Sequence, residues 1–181
     1  TAMWVEWLAS ENIDLRLEAL LGLRNVGRGV LEHEALVIEQ LSQDTTRVAA
    51  AQVLTAIASP DGWGAVVREV ASFEGKPPLP LLVAISRYDT ASLELALDRF
   101  RELYHDGHYI MAAFLLRFGE RAVDDFVLEL TSGLSDRRMV AAESLGHLGA
   151  VAKPALPKLQ QMSERHPISQ KLVKDAIARI Q

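Results

Sequence analysis

Apolar residues recur along this chain at the spacing of one helical face, and the whole pattern repeats about every 30 residues. The clearest copy starts at Arg138 and places Ala141, Ala142, Leu145 and Leu148 at helical intervals. Equivalent copies start at positions 16, 47, 78, 108 and 170, so successive copies are 30 to 32 residues apart. A fixed period of this size predicts stacked helical repeats, in which each unit buries its apolar face against its neighbours.

Each unit has room for a second helix after the first. The second helices are predicted at 31–41, 61–73, 91–104, 120–130 and 154–162. Three first helices are expected to end at glycine, because glycine tolerates left-handed backbone at a helix C-terminus; these are Gly27, Gly119 and Gly149. Four aspartates stand where a side-chain oxygen could cap the start of a first helix: Asp14, Asp44, Asp106 and Asp136.

Residues 135–159 resemble a HEAT repeat, particularly the short bacterial variety that is also found in phycobilin lyase subunits. The resemblance includes the Pro154-Ala-Leu-Pro157 entry to the second helix, and it extends more loosely over nearly the whole chain. It implies an all-α fold, namely a right-handed α-solenoid of about six helix-pair repeats of 30–32 residues. It also implies that the second helices line a concave face that holds another macromolecule.

We expect one repeat domain over residues 1–181, with units beginning near positions 12, 44, 75, 106, 136 and 167. Residues 1–10 have the pattern of the second helix of a preceding unit, and the chain stops after the first helix of the last unit. We therefore expect it to be part of a longer protein. No apolar stretch approaches the roughly 18 residues that a membrane span needs, and no secretory signal is present. The absence of cysteine excludes disulfides and favours a cytoplasmic location.

The charge of the chain is unevenly distributed. Residues 1–130 hold 11 basic and 20 acidic side chains, whereas residues 131–181 hold 8 and 4. Equivalent positions on successive second helices should align into stripes, one with Glu34, Glu94 and Asp125, and the next with Arg68, Asp98 and Glu129. Such stripes would attract a basic peptide segment and repel nucleic-acid phosphates. The alternative is that these side chains form an ordinary solvated surface.

Three local groups of residues could bind a ligand or a partner. His33-Glu34 is similar to the His-Glu pairs of deoxyhypusine hydroxylases, but one such pair cannot build a di-iron site. His105 and His108 are candidate metal ligands if their segment is helical, although Gly107 suggests a turn there. Trp63 stands between two glycines and is either an aromatic anchor for a partner or a packed residue. The sequence itself predicts no bound metal and no cofactor.

No phosphate loop, dinucleotide fingerprint or nucleophile elbow is present. The sequence therefore predicts a non-enzymatic protein-interaction or scaffold domain that binds a protein segment on its concave face. A first alternative is an accessory repeat domain of a larger enzyme, for example a bacterial sulfatase-like hydrolase, that packs on the catalytic domain of its own parent chain. A second alternative is a HEAT-like enzyme such as a DNA glycosylase or a lyase.

Overall fold

A computed structural model describes residues 2–165 and 170–181 of the chain, so the unit start predicted near 167 lies outside the described residues. The fold is all-α, as predicted. No helix in the described ranges is both long and apolar enough to cross a membrane. The chain divides into two compact units, residues 1–99 and residues 100–181.

The described part of the first unit contains seven helices, together with the start of an eighth that continues into the second unit. They are α1 (Ala2–Leu8), α2 (Ile13–Val26), α3 (Glu34–Glu39), α4 (Arg47–Ile57), α5 (Pro60–Ser72), α6 (Leu79–Ile85), α7 (Thr90–Leu93) and α8 (Leu97–His105). Segments of 3₁₀ helix at Gly27–His33, Gln40–Ser42 and Glu94–Ala96 connect them.

The described part of the second unit continues from α8 with five more helices. They are α9 (Met111–Leu115), α10 (Val123–Glu129), α11 (Ser135–Leu148), α12 (Leu156–Arg165) and α13 (Gln170–Ile180), with 3₁₀ segments at Leu116–Ala122 and Gly149–Ala155. The predicted second helices are present, but most of them begin or break with 3₁₀ turns. Their boundaries therefore differ from the sequence estimate by a few residues.

Helices of the same kind pack in series within each unit. In the first unit the first helices α2, α4 and α6 contact one another in order, and so do the second-helix segments α3, α5 and α7. In the second unit α11 packs against both α9 and α13. The small and apolar residues at the predicted slots are buried at these contacts, as expected; they include Ala19, Leu23, Ala50, Leu54, Ala112, Leu115, Ala141 and Leu145.

Close approach of the first helices requires small residues. A Cβ atom added to Gly146 of α11 would lie 3.0 Å from the Cα atom of Ala176 in α13. A larger side chain at Gly146 would therefore push these two helices apart.

The first helices end at one repeated register position with positive φ. Gly27 and Gly149 directly follow α2 and α11 with φ of 59° and 60°, so the predicted glycine endings are confirmed there. Gly119 has a similar φ of 58° but lies within the 3₁₀ segment Leu116–Ala122, because α9 already ends at Leu115. The equivalent residue after α4 is Ala58, with φ 57° and ψ 44°, the left-handed region that costs a non-glycine residue energy. Its ψ differs from the −127° of Gly27 and the −137° of Gly149, so this repeat makes a different turn, and it does so with backbone strain.

The predicted aspartate caps are wrong at all four helices: another residue caps α2, and the N-cap residues of α4, α9 and α11 make no side-chain capping hydrogen bond. The cap of α2 is Asn12, whose Oδ1 accepts a hydrogen bond from the backbone N–H of Asp14 at 2.9 Å. Asp44 instead accepts a hydrogen bond from Arg47 Nη1 at 2.6 Å. An asparagine two residues earlier provides the same kind of acceptor as an aspartate, so the two are exchangeable in this role.

In two repeats, an arginine near the start of a first helix donates a hydrogen bond to the backbone of the turn before that helix. Arg47 Nε donates to the carbonyl oxygen of Leu41 at 3.0 Å, and Arg138 Nη1 donates to that of Ser132 at 2.6 Å. Both hydrogen bonds join an arginine to the carbonyl oxygen six residues earlier, so the two arginines make the same contact in different repeats.

We predict that Ala58→Gly raises the free energy of unfolding by about 0.5–1 kcal/mol, because glycine adopts φ 57° without strain. Gly119→Ala should lower it by about 1 kcal/mol or more through backbone strain alone, since open space surrounds the added Cβ atom. Urea unfolding followed by far-UV circular dichroism measures both changes. Ala49→Gly, inside α4, is the control and should be destabilising; a loss of stability in Ala58→Gly would contradict the prediction.

Candidate functional site

Three of the residues singled out in the sequence lie together in the second unit. His105, near the end of α8, has its Nδ1 atom 2.8 Å from Glu129 Oε1 and its Nε2 atom 3.2 Å from Asp125 Oδ1. Both carboxylates belong to α10, one helical turn apart. With Arg101 and Arg137 these residues form what we call the polar network.

Two arginines compensate the carboxylates of the polar network. Arg101 Nε donates to Asp125 Oδ2 at 3.0 Å, and Arg137 Nη1 lies 3.7 Å from Glu129 Oε2. Arg137 Nη1 also donates to the backbone carbonyl of His105 at 2.7 Å. Asp125 and Glu129 have side-chain exposures of only 12% and 8%, so cations of the chain itself already occupy this part of the predicted acidic stripe.

The imidazole of His105 faces a carboxylate on each side. Both contacts are hydrogen bonds only when each ring nitrogen carries a proton, because ionised carboxylates accept and do not donate. A metal ion would need an unprotonated ring nitrogen. His108 lies beyond α8 in the turn, where its backbone N–H donates to Leu103 at 2.9 Å. Over residues 2–165 and 170–181, no group of three His, Asp or Glu side chains is arranged to hold a metal ion.

Tyr104 lies beside the polar network with its hydroxyl group buried. The hydroxyl has no hydrogen-bond partner among the described residues. Burial, together with the negative charges of Glu129 and Asp125, raises its pKa well above the ordinary value for tyrosine. The hydroxyl therefore stays protonated at neutral pH and does not supply a nucleophile. The polar network beside it joins α8, α10 and α11 through hydrogen bonds and ion pairs.

Glu34 is buried in the first unit and caps the entry to α5. Ser59 Oγ donates to Glu34 Oε1 and accepts a hydrogen bond from the N–H of Gly62 at 2.9 Å. A Cβ atom on Gly62 would collide with the Glu34 carboxylate. A negative charge at a helix N-terminus is favourable, so Glu34 joins α3 to α5. His33 lies instead 3.3 Å from Glu32.

Trp63 packs against Tyr88 within the first unit. Their ring centroids are 4.9 Å apart, and the planes of the two rings are nearly parallel. The Tyr88 hydroxyl lies 2.9 Å from Thr55 Oγ1, and burial raises the pKa of Tyr88 to about 12, while the hydrogen bond with Thr55 opposes this shift. This geometry favours packing as the role of Trp63.

The remaining predicted site residues are exposed. Glu94 and Asp98 each already take part in an interaction of their own. Arg68 borders a groove of about 610 Å³ along α3, α5 and the segment Glu94–Ala96, and its guanidinium has no ion pair within the described part of the chain. We call this the second-helix groove; it is lined by Ile38, Leu41, Ser42, Ala65, Arg68, Glu69, Ala71, Ser72 and Leu95.

A groove on the first helices was not predicted from the sequence. It has a volume of about 570 Å³ and runs along α2, α4 and α6. We call it the first-helix groove; it is lined by Arg24, Gln52, Thr55, Ala56, Leu79, Pro80, Val83, Ala84 and Arg87. The available signal was the repeat register, because these residues occupy the outward positions beside the buried slots of successive first helices.

No protein-family model and no curated protein matches the chain. Among solved structures, it is similar to the crystal structure of an engineered protein, a structural genomics target. The TM-score is 0.55 and the sequence identity is 15%, over 98% of this chain and 94% of that one. At this identity the likeness shows the fold alone.

We predict opposite outcomes for one substitution at two buried tyrosines. Tyr88→Phe loses the hydrogen bond to Thr55 and should lower the free energy of unfolding by about 1 kcal/mol. Tyr104→Phe removes a hydroxyl that lacks a partner in the described ranges, so stability should stay unchanged or rise. Urea unfolding of both variants is the test. An equal loss in Tyr104→Phe would mean that a buried water bonds its hydroxyl.

We predict that Glu129→Gln lowers the free energy of unfolding by about 1.5–3 kcal/mol, because it removes the charge that His105 and Arg137 face. The matched control is Glu120→Gln at an exposed position, which should change stability by less than about 0.5 kcal/mol. Chemical unfolding at neutral pH compares the two. Equal small effects would show that the polar network adds nothing measurable to stability.

Proposed function

We propose that this chain is a non-catalytic protein-interaction domain that holds a segment of another protein in the second-helix groove. The observation that carries the proposal is a largely apolar groove on the second helices, with an exposed leucine and a guanidinium that has no ion pair among the described residues. Leu95 is 60% exposed, although it lies beside the buried core of the first unit. Covering such a side chain is a main source of binding free energy.

The groove suits binding better than catalysis. Its volume of about 610 Å³ falls within the roughly 300–1,000 Å³ of typical ligand pockets. Its two serine hydroxyls are already engaged with backbone carbonyls, Ser42 with Glu39 at 2.9 Å and Ser72 with Arg68 at 3.0 Å. No histidine lines the groove to activate either hydroxyl.

The charges along the second-helix groove favour one kind of peptide segment over another. Glu69 is already paired with Arg47 Nε at 2.6 Å, whereas Arg68 has no carboxylate partner in the part of the chain that the structure describes. A segment with an apolar anchor and a nearby acidic residue therefore fits this groove better than a purely basic peptide. This preference differs from the one that the acidic stripes suggested, because Glu34 is buried and Asp125 and Glu129 are compensated.

A HEAT-like repeat architecture is part of the same proposal. The serial packing of first helices and of second-helix segments within each unit supports it. Repeat stacks of this kind present grooves between successive helices, and extended binding surfaces are their common use. The assignment to a HEAT-like family adds the expectation that the bound segment follows the second helices.

The test is to select a random peptide library on the purified chain and to measure the selected peptides against two variants. Leu95→Glu places a charge in the groove, and we expect affinity to fall about tenfold or more. Leu128→Glu is the matched control, because Leu128 is 62% exposed and lies outside the groove. Circular dichroism checks that both variants fold. Failure to select any peptide, or equal binding to both variants, would overturn the proposal.

A further inference from the structure

We propose that the first-helix groove is a separate site for a short peptide segment that carries carboxylates beside apolar side chains. Arg24 and Arg87 would bind the carboxylates, and Leu79 and Val83 would cover the apolar side chains. This inference goes beyond the proposed function and does not rest on it, because the groove is formed by other helices and other residues.

The charge of the groove is opposite to that of its surroundings. Residues 1–99 hold 8 basic and 14 acidic side chains, yet the groove is lined by two arginines and no carboxylate. Arg24 Nη1 donates at 2.8 Å to the neutral amide oxygen of Gln52. Within the described ranges, the Arg87 guanidinium has no ion pair. Two cations that have no anionic partner in the described part of the chain, in a unit rich in acids, favour an anionic ligand.

The apolar side chains of the groove are exposed as well. Leu79 and Val83 are each 56% exposed and stand one helical turn apart on α6. Side chains at this spacing lie next to each other on one helix face. An apolar surface bordered by polar groups is typical of an interaction site, so the ligand should be amphipathic rather than a simple anion.

A comparison within the chain separates the chemistry of the groove from its geometry. A corresponding groove lies along α11 and α13 in the second unit and is lined by Met139, Glu143, Lys171, Leu172, Asp175, Ala176 and Arg179. In the repeat register, Arg179 is equivalent to Arg87 and Asp175 is equivalent to Val83. Stacking of first helices thus produces a groove in both units. In the second unit, however, its charges are mixed, whereas in the first they are only positive.

The observations favour a peptide over a nucleic acid. Nucleic-acid binding depends on many phosphate contacts, roughly 6–10 for a typical duplex-binding protein. Here two arginines stand in a net negative unit. Exposed leucine and valine side chains also have no role against a phosphate backbone. An acidic segment with apolar residues satisfies both parts of the groove.

The test is a random peptide library selected on the whole chain and then depleted on the double variant Arg24→Gln, Arg87→Gln. We expect the surviving peptides to combine Asp or Glu with apolar residues. Their affinity should fall about tenfold or more in Val83→Asp, a variant not used in the depletion, which introduces the carboxylate of the second-unit groove. Binding should weaken as salt is added.

Two controls separate this site from the others. Arg179→Gln alters the corresponding groove of the second unit, and Leu95→Glu alters the second-helix groove; neither should affect the surviving peptides. The inference is overturned if no peptide survives depletion, if the survivors bind Val83→Asp as tightly as the unaltered chain, or if single-stranded oligonucleotides compete more strongly than acidic peptides do. Peptides that depend on Leu95 alone would leave the proposed function standing while removing this second site.

Discussion

The structure depends on one constraint: a pair of short helices cannot bury its own apolar face. In each of the two compact units, the apolar face of one helix pair is covered by the next helix pair. Alanine or glycine lies where the first helices approach most closely, and leucine fills the wider spaces between them. Gly146 against Ala176 shows how little room remains at such a contact. The outward positions beside these contacts are free to vary, since the core does not use them. Grooves between successive helices therefore arise from stacking itself, and their chemistry is set separately.

The same close packing explains the arrangement of charge. Side chains on adjacent second helices lie near one another and partly out of water, where an unpaired carboxylate is costly. Asp125 and Glu129 accordingly face Arg101, His105 and Arg137 across neighbouring helices. Glu34 is stabilised in another way, by a serine at the N-terminus of α5. Although the net charge of the chain is −5, these carboxylates at helix contacts therefore have partners within the chain.

Local regularities were predictable from the sequence, and side-chain partnerships were not. The buried slots and the endings at Gly27 and Gly149 follow from periodicity and from the special backbone of glycine. The contacts of His105 with Asp125 and Glu129 span 20 and 24 residues and depend on how two helices are rotated about their axes. Ala58 gave no sign of its left-handed backbone, because alanine is common inside helices. The register identifies the buried positions of the first helices but not the chemistry of the positions beside them, so it did not predict the first-helix groove.

The stacking of Trp63 on Tyr88 has a spectroscopic consequence. All three tryptophans, Trp4, Trp7 and Trp63, belong to the first unit, while residues 100–181 contain none. Tryptophan fluorescence, excited selectively, therefore responds to events around α1 and α5 and does not report on the polar network. Far-UV ellipticity weights every helix alike. Coincidence of the two signals during denaturation would show that both units melt as one cooperative block, and separation would reveal an intermediate in which only one of them is ordered.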